Sequence, residues 1–187
     1  MLQTELGGVQ IYTTALRCAV NSDLKKEWEK YLQQTQRHVE IVETLFQTHG
    51  LNTEVQTPGR KIVKHIGESL VAAMQMALEN GDKAAAELVA AECVVLAETK
   101  DHLNWELFGE VAKHISGEGA KSVRDAVTKV EEEEDEHLYH SAGFCRELWF
   151  KALSLPAVLP PPEEKKHVKS ALEAARVKEQ RKEMAKH

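Results

Sequence analysis

The chain has 187 residues, of which 42% are apolar, and a formal charge of −6. That is enough hydrocarbon for a domain with a real core, and it excludes a wholly disordered segment. The negative charge argues against a general nucleic-acid binder, and the most apolar run, 84–97, contains Glu87 and Glu92 and is too short to span a bilayer.

Glu, Lys, Ala and Leu dominate, glycine and proline are sparse, and period-two alternation is scarce, so the expected fold class is all-α. The first predicted helix covers about residues 2–20, with the stripe Leu2, Glu5, Val9, Tyr12, Leu16, Ala19. Asn21-Ser22-Asp23 is a short turn that offers N-caps. The second helix runs to about His49, where Gly50 stops it, along Leu24, Trp28, Tyr31, Thr35, His38, Val42, Leu45. A connection containing Pro58-Gly59 follows, then a shorter helix over about 62–78. Asp82 caps the next long helix, which extends to about Ile115 with the stripe Leu88, Ala91, Val95, Glu98, His102, Trp105. After Ser116-Gly117-Glu118-Gly119, the last long helix runs from about Ala120 to Leu153 along Val123, Val127, Val130, Glu134, His137, Ser141, Phe144, Leu148.

Two tight turns and one long connection that carries its own short helix predict an antiparallel four-helix bundle with one crossover, over residues 1–155. Residues 156–187 differ: Pro156, Pro160, Pro161 and Pro162 mark a stiff linker. Glu163 to His187 carries a formal +3, against −9 for residues 1–162. With only Val168, Leu172 and Ala175 as an apolar face, this charged helical tail reads as a solvated helix, or as an arm that docks a partner or its own acidic bundle. Met1 to Gly8 lacks the basic-then-apolar order of a secretory signal. Cys18, Cys93 and Cys145 are scattered without a Cys-x-x-Cys, so reduced thiols in a cytoplasmic protein are expected.

Each long stripe is broken about halfway by Glu or His, on a face that normally holds only hydrocarbon. At a rise of about 1.5 Å per residue, Glu5, Thr35 and His38 fall at one level of the first hairpin. Glu98, His102, Glu134 and His137 share a level of the second by the same measure. Agreement between the hairpins depends on the crossover. Carboxylates and imidazoles brought to one level of a core suggest a metal site. The expected ligands are Glu5, His38, Glu98, His102, Glu134 and His137, with His102 either a ligand or a hydrogen-bond partner of Glu98. Tyr12, Thr35 and His140 stand behind them: Tyr12 as a core or redox tyrosine, Thr35 as a small core residue, His140 as a donor on the neighbouring face. Glu131 to Glu136 is a charge run, from which the stripe selects only Glu134 as inward-facing.

At these residues the chain resembles the ferritin-like superfamily of di-iron carboxylate proteins, including bacterioferritin, rubrerythrin-type and stress-associated bacterial members. Glu5 with Tyr12 is similar to the family's first helix, His38 to the second-helix Glu-x-x-His, Glu98 to the third-helix carboxylate, and Glu134-Asp135-Glu136-His137 to the fourth-helix Glu-x-x-His. The resemblance implies a core site for iron or manganese, a role in oxidative-stress defence or iron handling, and self-association as a homo-oligomer, a dimer. The departure is Thr35, where the family places Glu. Three carboxylates then face a formal +4 for two divalent ions, and the alternative is a non-catalytic helical scaffold that has lost a full di-metal site.

Overall fold

The computed structural model describes residues 1–156, apart from the side chain of Glu118, and the tail expected beyond Pro156 lies outside them. All regular structure among the described residues is helical: α1 (Leu2–Cys18), α2 (Ser22–Thr48), α3 (Pro58–Glu79), α4 (Lys83–His114) and α5 (Glu118–Ala152). The side-chain oxygen of Asn21 accepts from the amides of Asp23 and Leu24 at 2.9 and 3.1 Å, which starts α2. Asp82 does the same for Ala84 and Ala85 ahead of α4. Gly50 takes φ 64° just past α2, a left-handed conformation that glycine adopts without a Cβ clash.

The third helix starts earlier than the expected residue 62. Thr57 caps it by accepting from the Arg60 amide at 3.1 Å, and Pro58 sits in the first turn, where its missing N–H costs nothing. Pro58-Gly59 is therefore a helix start rather than part of the connection.

Helix α1 packs on α2, α3 and α4; α5 packs on α4 and α2; α3 also lies against α4. Helices α1, α2, α5 and α4 thus form a closed ring of neighbours, with α3 laid against α1 and α4. Only Met74 of α3 is fully buried. The connections 19–21 and 115–117 are too short for anything but antiparallel hairpins. Buried Glu87 tightens the first of them by accepting from the Val20 and Asn21 amides. Among the described residues, no helix is long and apolar enough to cross a membrane.

The hydrocarbon core is split in two. One cluster gathers Ile11, Tyr12, Leu24, Trp28, Tyr31, Ala90, Val94 and Phe144. The other gathers Leu2, Val42, Leu45, Trp105, Ala112, Val123 and Val130. In each of α1, α2, α4 and α5 the residues between these clusters are polar and buried: Glu5; Gln34, Thr35 and His38; Glu98, Asp101 and His102; Glu134, His137 and Ser141. The break in each sequence stripe is one polar layer through the middle of the protein.

Candidate metal centre

The two hairpins meet at the same level. Glu5, His38 and Glu134 each offer a ligand atom within 4.8 Å of the others, and so do Glu98, Glu134 and His137. Glu134 belongs to both groups. Around one ion, donor atoms at bonds of about 2.1 Å lie at most roughly 4 Å apart, so both groups need only a small contraction.

Glu5, His38 and His137 are each held from outside and left open inside. Trp105 Nε1 donates to Glu5 Oε1 at 2.8 Å, and Glu5 Oε2 has no hydrogen bond. His38 Nε2 lies 2.8 Å from Glu133 Oε2, while its Nδ1 lies 3.0 Å from Glu134 Oε1 and makes no hydrogen bond. His137 Nε2 lies 3.1 Å from Gln34 Oε1, while Nδ1 faces Glu98 and Glu134 at 3.5 and 3.7 Å, again unbonded. Glu98 Oε2 and Glu134 Oε2 are unpartnered as well. The outer partners are acceptors, so both imidazoles carry their proton on Nε2 and aim the Nδ1 lone pair inward. Five orphaned buried atoms in one polar layer are costly in a stable fold, and a cation in each of the two groups would satisfy them.

Electrostatics agree with this arrangement. Burial, then the charge of Asp101, raises Glu5 and Glu134 well above the ordinary carboxylate range. Burial and the nearby His137 push His38 down to about 4, so its imidazole is neutral at neutral pH. The metal-free centre therefore holds protons where a cation would displace them.

Tyr12 is fully buried, its ring 6.0 Å from that of His137 and its hydroxyl beside Glu98. Thr35 packs against the α1 backbone, and a Cβ at Gly8 would lie 3.0 Å from its Cγ2. It is a small core residue at a close helix approach.

His102 is not brought into the centre. Its Nδ1 faces Asp135 at 3.5 Å and its Nε2 faces Glu106 at 3.4 Å. At about 100° per residue, His102 stands to one side of Glu98 and Asp101 to the other, with Trp105 between them. Asp101 instead is the residue buried near Glu5 and Glu134, with Oδ1 unpartnered, and burial followed by the Glu98 charge raises it to about 7. Its three-residue spacing from Glu98 was the available signal.

His140 stands one step further out than expected. Its Nδ1 lies 3.0 Å from the Tyr31 hydroxyl, and the Tyr31 ring lies 4.4 Å from that of His137. Glu27, Glu136 and His140 also cluster within ligand distance. There, Lys30 Nζ already holds Glu136 at 2.6 Å, and Tyr31 bonds His140.

In the charge run on α5, Glu131 and Glu132 are exposed, but the four acids after them are not a solvated face. Glu133 reaches His38, Glu134 the centre, Asp135 His102, and Glu136 Lys30. Successive residues point about 100° apart, so four acids in a row reach four different places. Comparison of the chain with models of protein families, with curated proteins and with solved structures finds no match.

Proposed function

We propose that this protein is a ferritin-like four-helix bundle that binds two divalent cations, iron or manganese, in its polar layer. One observation carries the reading: Glu5, His38 and His137 each have one polar atom anchored from behind and the other orphaned toward a common centre. One ion would take Glu5, His38 and Glu134, the other Glu98, His137 and Glu134. A mixed oxygen and imidazole donor set suits both metals. Asp101 adds a fourth carboxylate to the same buried region, offsetting the one missing at Thr35.

Bound there, iron or manganese would supply redox chemistry, and the proposed role is iron handling or defence against oxidants in the cytoplasm. Burial raises Cys18 and brings Cys93 and Cys145 to about 11, which leaves the thiols protonated and poor metal ligands at neutral pH. Exposed Leu96, Leu103 and Leu107 share a face of α4 and support the dimer in this proposal.

The second reading, a scaffold without metals, is favoured by Thr35, which stands where the resemblance expects a carboxylate and packs closely on Gly8. The test is chelator-treated protein given ferrous iron or Mn(II) without oxygen. Two equivalents are expected in the wild type and loss of both in Glu134→Gln, since Glu134 serves both groups. Less than one equivalent in the wild type sinks the metal reading and leaves the scaffold.

A further inference from the structure

We infer that the two metal positions are unequal, and that Glu133 and Gln34, which hold the outer nitrogens of His38 and His137, set the order in which they fill. This rests on the two-ion reading above. Both positions use one imidazole Nδ1, one carboxylate of their own and a share of Glu134. The difference lies behind the imidazoles.

His38 Nε2 faces a carboxylate, Glu133 Oε2, at 2.8 Å. Arg37 fixes the other oxygen of Glu133 at 2.9 Å. Paired with Arg37 and partly open to solvent, Glu133 is an ordinary carboxylate, an anion at neutral pH. His137 Nε2 faces only the neutral carbonyl of Gln34, at 3.1 Å. Gln34 also lies beside Glu133, and its side-chain oxygen is the atom that faces His137.

An N–H held by an anion makes the opposite nitrogen a stronger donor than one held by an amide oxygen. The charge-assisted bond is also the shorter of the two. The position at Glu5 and His38 therefore fills first and tighter, and the position at Glu98 and His137 second and more loosely. Glu133 and Gln34 touch neither ion; they are positioning residues that grade the pair.

The experiment is titration of Co(II) alone into the chelator-treated full chain, followed by visible absorption and calorimetry. The wild type should bind in two resolved steps. E133Q keeps the shape and removes the charge; it should weaken the first step by about 10–100-fold and leave the second within threefold. Q34L should weaken only the second, which keeps the idea testable if E133Q fails to fold. The urea midpoint of metal-free E133Q should match the wild type. One indistinguishable affinity for both ions overturns the inference while leaving the two-ion reading standing. So does an E133Q that weakens both steps equally or neither. Fewer than one Co(II) in the wild type overturns both.

Discussion

Asp101→Asn tests the electrostatics of the polar layer without any metal. Asp101 is buried among Glu5, Glu98 and Glu134, and its carboxyl is raised from 3.8 to about 7, by burial first and by the Glu98 charge next. A folded-state value above the unfolded one means stability that is fully present below the unfolded value and is lost as pH rises to the folded one. Roughly three units at 1.36 kcal/mol each set a ceiling of about 4 kcal/mol. Asparagine keeps the shape, has no charge at any pH and retains an oxygen toward Asn104, which lies beside Asp101. Urea unfolding of both proteins with chelator, read by helical circular dichroism, should therefore show near-equal stability at pH 4. The variant should gain progressively through pH 7, by up to about 4 kcal/mol. His38 acts in the opposite sense, since its value is lowered to about 4 and its contribution is lost as pH falls from 6.5. It is common to both proteins and cancels in the difference. A gap that stays constant from pH 4 to pH 8, or a variant less stable than wild type at pH 8, would refute the assignment of Asp101 as a strained buried acid.

Trp105→Phe removes the indole N–H that holds Glu5 Oε1 at 2.8 Å and should cost about 1–3 kcal/mol in the metal-free protein, measured by the same urea titration. The neighbouring glycines of α1 should respond in opposite directions. Gly7→Ala meets nothing within 4 Å and should stabilise by up to about 1 kcal/mol through helix propensity. Gly8→Ala would press on Thr35 Cγ2 at 3.0 Å and should destabilise, by about 1–2 kcal/mol net in thermal melts.

The helices were legible because their punctuation is local: Asn21 and Asp82 cap α2 and α4, and Gly50 stands just past α2. The start of α3 was misplaced because Pro58-Gly59 resembles a turn until Thr57 is recognised as a cap. Within the polar layer, Glu5, His38, Glu98, Glu134 and His137 could be found from spacing alone, since a charge on an apolar stripe is costly. The residues behind them could not. Whether Gln34 faces His137 or solvent depends on how α2 sits against α5, which lies beyond periodicity. His102 was drawn into the set because a three-four pattern admits both edges of a helix face, and only tertiary packing chooses between His102 and Asp101.

Glu134 is the one residue common to both groups, and α5 is the last helix among the described residues. During synthesis, α1, α2 and α4 emerge with Glu5, His38 and Glu98 already present, yet neither group closes until α5 docks. The same holds in reverse. Any excursion that peels α5 away dismantles both groups in one event, so ions held there would leave together, at the rate at which α5 detaches.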